Sequence, residues 1–354
     1  MSGPLEEFPG GLQRHAIAAL NPFRSKEPPM ADLEINIIMR AYDQLCPLHL
    51  GDVPTPGLKL KIDRHSPLTL QLPDGIDVAE VSFNRYVGAY ARGDDSLVGM
   101  PAFILRGFRH RNFFVRGDSK LNSLADLNGR RVGTNSWPDT GTMWARIAMV
   151  DAGVGIGDVQ WVIGTLDDKT PNKPPSPNDA QPPKGARFLS GNESLMTELA
   201  EGRLDCITTA KAPADVFRKG GRIRRLVQNY PDVEADYHRR TGVYPGFHVI
   251  AVKRAFAEKH PKAVMTIYDA MQKSWALWED KVKWFAEDSP WAMKEMELLC
   301  GDFADDSVFG MESKANQRMV ETICREQHAQ GLVPKAADPK ALFACFEKVR
   351  KAAA

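Results

Sequence analysis

Between residues 106 and 111 the chain reads RGFRHR, which places three arginines and a histidine within six residues. Arginine stays charged and presents a fork of donors that fits a carboxylate. Arg106 and Arg109 are therefore candidate ligands for a small anion, with His110 beside them as an acid or base. The competing account is a solvated basic turn, and Arg111 is assigned to solvent. A second histidine, His248, sits inside the apolar run FHVIAV. A lone imidazole there is either a hydrogen-bonded core residue or, where the fold opens a cleft beside it, a proton donor. Glu80 lies in DVAEVS. With His110 and His248 it makes two imidazoles and one carboxylate, a donor set suited to zinc or another divalent metal. No local motif such as HExxH supports that set, so it depends wholly on the fold.

Weaker candidates surround these. Glu80 and Asp77 come at the end of a strand, where ligands of open α/β sheets bind, although Glu80 could equally cap the helix that follows. Ser82 offers a hydroxyl contact, and Asp43, just past the first strand, has the same kind of placement. Thr140, Gly141 and Thr142 open a helix directly after a strand and loop, leaving backbone N–H groups for an anion or for a plain cap. On that helix Arg146 is placed facing a cleft and Trp144 in the core. Tyr244 precedes His248 and would hydrogen-bond a phenol. The glycines of GVGIG at 153–157 have the look of a dinucleotide loop, but they precede a strand instead of following one, and that reading is discarded.

The elements that must position these residues follow from hydrophobic period. Residues 33–39 alternate and then run apolar, as an inner strand of a parallel sheet does. Residues 58–70 read as a short strand with a loop, further strands are expected near 78, 102–105 and 113–115, and a βαβ rhythm takes over from residue 124. Residues 141–152 read as an amphipathic helix, 247–252 as a strand returning to the first lobe, and 260–284, 313–330 and 339–350 as helices whose tryptophans cover the core. The expectation is an α/β clamshell of two lobes with the ligand cleft at the hinge. Residues 31–115 begin lobe 1, 116–245 form lobe 2, and 246–354 complete lobe 1. Residues 1–30 read as a disordered leader, with Met30 as an alternative start. The run 167–186, rich in proline, reads as a mobile surface insertion of no chemical consequence.

The 354 residues suit two such lobes, and 43% hydrophobic with 26% charged residues is a globular composition. Lys+Arg 46 against Asp+Glu 45 leaves +1, which gives no footprint for nucleic acid or an anionic membrane. Five scattered cysteines form no CxxC pair and read as reduced thiols. No stretch is apolar enough to span a membrane, and no basic segment with an apolar run opens the chain, so a cytoplasmic protein is expected. A homo-oligomer is compatible with all of this.

Specific strings narrow the reading. Tyr42-Asp43, DVAEVSFNRY at 77–86, PAFILRGFRH at 101–110, LNGRRVG at 127–133, Thr140 with Trp144 and Arg146, and Trp161 with Gly164 occur in order. GRLD at 202–205, Pro213 and YHRRTGVYPGFHV at 237–249 follow. In this set the chain resembles the 4,5-dihydroxyphthalate decarboxylase family, a branch of the type 2 periplasmic-binding-protein fold. It departs at Gly246-Phe247, where a bulkier apolar pair is the family pattern, and in its proline-rich insertion. The resemblance implies a non-oxidative decarboxylase converting 4,5-dihydroxyphthalate to 3,4-dihydroxybenzoate and CO2. In that scheme Arg106 and Arg109 hold carboxylate, His110 or His248 donates the proton, and Glu80 orients a histidine or a metal. The family also contains plain solute-binding proteins, so the alternative is a non-catalytic binder of a small anion serving a transporter. The absence of an export signal favours the enzyme.

Overall fold

In the computed structural model residues 32–174, 180–285, 290–302 and 307–354 are described. The leader expected over residues 1–30 lies outside them. The strands sort into two sheets. The first contains β1 (Leu33–Ile38), β2 (Leu58–Asp63), β3 (Val78–Ser82), β4 (Leu97–Arg106) and, after the chain has built the second sheet, β11 (Gly246–Lys253). The second contains β5 (Phe113–Arg116), β6 (Arg131–Thr134), β7 (Gln160–Ile163), β8 (Arg187–Phe188), β9 (Cys206–Thr208) and β10 (Ile223–Arg225). Their orders are β2-β1-β3-β11-β4 and β10-β5-β9-β6-β7-β8. The protein is thus a two-lobed α/β fold. β5, grouped with the first lobe by its sequence position, pairs antiparallel with β9 and β10 and belongs to the second sheet.

β1 pairs parallel with β2 and β3, and all five residues of β3 are buried. β11 inserts antiparallel between β3 and β4. The two crossings run side by side, since the Gly107 N–H donates to the carbonyl of Pro245 at 3.0 Å. Of the helices, α1 (Cys46–Leu50), α2 (Phe83–Ala91), α3 (Thr140–Asp151), α4 (Leu195–Ala200), α5 (Tyr230–Thr241) and α6 (Arg254–Lys259) follow strands or the crossing. The last part of the chain adds α7 (Pro261–Phe285), α8 (Ala292–Asp302), α9 (Lys314–Ala329) and α10 (Ala344–Ala353). None among the described residues is long and apolar enough to cross a membrane.

One apolar cluster runs from Val81 and Phe103 of the first sheet through Phe247 at the crossing to Phe113 and Val132 of the second and Trp144 of α3. A second cluster fixes α7 and α10 on the other face of the first sheet, through Val264, Ile267, Met271 and Phe346. α3 is buried on nearly all sides, rather than amphipathic, because it lies between the lobes and packs on both. The tryptophans expected over the core divide: Trp275 packs against it, whereas Trp284 and Trp291 are 83% and 71% exposed. The proline-rich run includes residues 175–179, outside the described set, but its end is not a remote surface element. Ala180 packs against the central cluster and lines the cleft.

Candidate active site

Sheet register explains the central pair. β3 and β11 are antiparallel, with His248 opposite Ser82 and Ile250 opposite Glu80. Glu80 and His248 are then diagonal neighbours on one face, within reach of long side chains. The β11–β4 ladder slips on both sides of His248, a bulge of the sort that re-aims a side chain. His248 Nδ1 meets Glu80 Oε1 at 2.5 Å, and the Glu80 side chain is wholly buried. Tyr42 donates its hydroxyl to the same oxygen at 2.5 Å and lies 3.0 Å from Nδ1, while the Arg40 N–H donates to Oε2 at 2.9 Å.

These contacts set the charge. Burial alone pushes the Glu80 carboxyl up, but the hydrogen bond and charge of His248, the Tyr42 hydroxyl and the Arg40 N–H together hold it below its ordinary value. Burial, then the charge of Glu80, pushes the Tyr42 phenol up, so it stays protonated and donating. A carboxylate bound at Nδ1 fixes the tautomer and orientation of the imidazole and leaves Nε2 free of that contact. His248 also lines the cleft, with its Nδ1 edge taken up by Glu80 and Tyr42.

The cleft is a cavity of about 1440 Å³ walled by both lobes. Nine arginines and lysines line it against two aspartates, Asp94 and Asp139, which leaves its wall with an excess of positive charge. Arg109 is the cation best placed for binding. Its guanidinium lies 3.7 Å over the Phe247 ring. Among the described residues its buried Nε has no partner, and its one hydrogen bond, from Nη1 to Asn112 Oδ1, is long at 3.4 Å. Burial and the neighbouring charge of Arg111 bring its pKa down to about 10 against the opposing charges of Glu234 and Asp139, so it remains a cation, with no carboxylate bonded to it among the described residues. Phe247 is thus the platform for Arg109. Gly246 beside it is fixed by contact, because a β-carbon there would come 2.7 Å from Met319 Sδ.

Residues 140–142 at the start of α3 line the cleft under Arg109. Ser82 Oγ lies 3.0 Å from Thr140 Oγ1, and the Asn84 N–H donates to Thr140 Oγ1 at 3.0 Å, so the two lobes are stitched where they meet. Thr142 Oγ1 pairs with Thr134 Oγ1 at 3.0 Å. A β-carbon at Gly141 would fall 2.8 Å and 3.0 Å from Nη2 and Nε of Arg109. Gly141→Ala is therefore expected to displace the guanidinium and raise the KM for an anionic substrate about 10-fold, about 1.4 kcal/mol, with thermal stability held. Steady-state kinetics and a melting curve read both.

Other sequence candidates fall elsewhere. Arg106 lines the cleft, but its donors go to Tyr244 O (2.7 Å), Ser307 O (3.1 Å) and Asn316 Oδ1 (2.9 Å), which makes it a tie between the crossing and the C-terminal helices. Tyr244 stacks on Phe108 with centroids 5.3 Å apart, beneath Arg106, and is outside the cavity wall. Arg146 is fully buried, stacked 3.8 Å over Trp137 and bonded to Trp137 O and Gln330 Oε1, away from the cleft. Trp144 is core, as expected, and donates to Gly246 O at 2.9 Å. Asp43 is exposed and does not line the cavity. Arg111, assigned to solvent, instead lines the cleft and is gripped by the buried Glu234, whose Oε1 accepts from the Arg111 N–H at 3.0 Å.

His110 is the main correction. It is 4% exposed, its ring lies 5.1 Å from Tyr237, and it does not line the cleft. The two-histidine, one-carboxylate set is therefore not assembled, and among the described residues no three His, Cys, Asp or Glu side chains form a group that could hold a metal. Burial brings the His110 pKa down to about 4. The unfolded chain binds this proton near pH 6.5, so between about pH 6.5 and 4 unfolding takes up a proton and stability falls as pH falls. The loss reaches on the order of 3 kcal/mol at the acid end. His110→Phe is expected to flatten that slope in denaturant titrations across pH.

Sequence reasoning does not single out Tyr42, Arg40 or Glu234 for roles in the site. Tyr42 alone carries a signal, as half of the Tyr42-Asp43 string, in which the carboxylate is the more obvious candidate.

No family model matches the chain. Two curated proteins resemble it along most of their lengths. The 4,5-dihydroxyphthalate decarboxylase of Comamonas testosteroni is 27% identical over 337 residues, 89% of this chain and 97% of that one. The protein of the same name from Pseudomonas putida is 27% identical over 227 residues, 59% and 83% of the two chains. The likeness read from the sequence strings is thus present across the chain. Among solved structures, the periplasmic aliphatic sulphonate binding protein SsuA from Escherichia coli superposes with a TM-score of 0.51 at 14% identity, covering 87% of this chain and 96% of that one. That places the fold with the periplasmic binding proteins.

Proposed function

We propose that the protein is a non-oxidative decarboxylase of an aromatic dicarboxylate, with 4,5-dihydroxyphthalate as substrate and 3,4-dihydroxybenzoate and CO2 as products. The observation that carries this reading is the Glu80–His248 pair, whose free imidazole edge opens on a cleft lined by cations. A passive anion site needs only the cations. A buried carboxylate bound to one nitrogen of a histidine that faces the ligand is the arrangement of an acid–base catalyst. The names of the two curated relatives support the same substrate.

The reaction replaces a carboxylate on a ring carbon by a proton. Each carboxylate of 4,5-dihydroxyphthalate lies para to a hydroxyl, which pushes electron density toward that carbon. In this reading Arg109 and the first turn of α3 hold the carboxylate that is retained. The imidazolium of His248 delivers its Nε2 proton to the carbon bearing the other. The C–C bond then breaks, its electron pair restores the aromatic ring, and CO2 leaves. His248 departs neutral and takes a proton from solvent. Glu80 holds the ring by Nδ1, and the Tyr42 hydroxyl and the Arg40 N–H donate to the Glu80 carboxylate behind it.

Purified protein incubated with 4,5-dihydroxyphthalate is expected to release CO2 and 3,4-dihydroxybenzoate in equal amounts. Saturable binding without turnover would instead favour a solute-binding protein, the role named for the SsuA neighbour.

A further inference from the structure

Every residue from Pro67 to Leu72, in the loop that joins β2 to β3, lines the cleft. Within it Leu68 has φ +58°, which makes it the sole non-glycine residue with positive φ among the described residues. A left-handed residue directly after a proline is the pattern of a type II turn, a place where glycine is usual because a β-carbon strains the backbone. The strain is held by the catalytic strand itself. Ser66 Oγ accepts from the Leu68 N–H at 3.2 Å and donates to the carbonyl of Glu80 at 3.0 Å, and the Arg40 guanidinium donates to Ser66 O at 3.3 Å. The loop is thus pinned to the residue that supports His248, and the strained position brings an apolar side chain to a cavity whose wall also carries Leu105, Phe247 and nine cations. Leu70 and Leu72 extend the same surface and pack against the central core.

We infer that Leu68 is a specificity-determining residue, the apolar wall on which the flat face of the substrate ring lies, so that the cleft accepts aromatic dicarboxylates over aliphatic ones of the same charge. The inference rests on the proposed function. It accounts for a leucine where the backbone favours glycine: a ring face needs an apolar partner, and a carboxylate pair alone does not.

Two unreactive probes separate the possibilities by calorimetry: phthalate, and maleate, a cis dicarboxylate with no ring. The unaltered protein is expected to bind phthalate more tightly than maleate. Leu68→Gly, which the backbone accepts freely, is expected to weaken phthalate about 10-fold, leave maleate unchanged, and raise the KM for 4,5-dihydroxyphthalate about 10-fold at constant kcat. Its melting temperature should be no lower than that of the unaltered protein. Leu68→Asn, which also tolerates the left-handed conformation but is polar, should behave alike. Phthalate binding untouched by both substitutions, or phthalate and maleate weakened equally, overturns the inference while leaving the proposed function standing. Failure of the unaltered protein to bind phthalate overturns the functional reading, and this inference with it.

Discussion

His248→Gln is expected to lower kcat about 10³-fold, the middle of the range for a general acid, while KM moves only a few-fold. Glutamine keeps much of the volume and a donor toward Glu80, and Glu80 retains the Tyr42 hydroxyl and the Arg40 N–H, so the site should stay folded. Glu80→Gln should follow in the same direction by a smaller factor. It removes the carboxylate that accepts from and orients the ring but leaves the imidazole in the cleft. A His248→Gln protein with near-normal kcat would show that the proton comes from elsewhere. A protein that no longer folds would be distinguished by its lost melting transition.

The second large effect concerns Arg109. Arg109→Met is expected to raise KM about 10²-fold, the scale of a charge-assisted hydrogen bond worth about 1.5–3 kcal/mol, with kcat less affected. Stability should hold or rise, because the substitution removes a buried cation that stands beside Arg111, has no bonded carboxylate among the described residues, and is held at a lowered pKa. The thioether can still pack on Phe247. Arg106→Met should do the reverse, lowering the melting temperature because Tyr244 O, Ser307 O and Asn316 lose their donor. If Arg109→Met melts early and binds substrate normally, the two arginines have been assigned the wrong way round.

Both arginines sit in one six-residue turn, and that is why sequence does not separate them. Composition and spacing identify a basic turn at a crossing. Which guanidinium is taken up by carbonyls depends on the Ser307–Asn316 segment, some two hundred residues away. The same limit applies to the histidines. His248 is legible because an apolar strand carrying one imidazole must return beside β3, where an antiparallel register brings it diagonal to Glu80. His110 shares a turn with the cleft-lining arginines, but one residue along a 3-10 turn rotates its ring toward Tyr237 of α5, a helix the hydrophobic pattern does not reveal. The α5 sequence YPDVEADYHRRT is mostly charged or polar, and its few apolar side chains are too sparse to mark a helical stripe. β5 is misplaced by sequence for a related reason: a four-residue apolar strand shows burial but not which sheet it pairs with. Tyr42 escapes notice because the interest of a tyrosine lies in its partner, and Glu80 is far along the chain. The two-lobed α/β order, by contrast, follows from strand–helix alternation and a late return strand, which local patterns carry.

The most direct test of the account is the structure of the protein with phthalate bound, since phthalate has both carboxylates but lacks the hydroxyls that drive loss of CO2. One carboxylate is expected on Arg109 and the first turn of α3, and the carbon bearing the other about 3–3.5 Å from His248 Nε2, a near-attack distance. Phthalate seated against Arg106 or at the cleft mouth, with Nε2 facing no ring carbon, would contradict it.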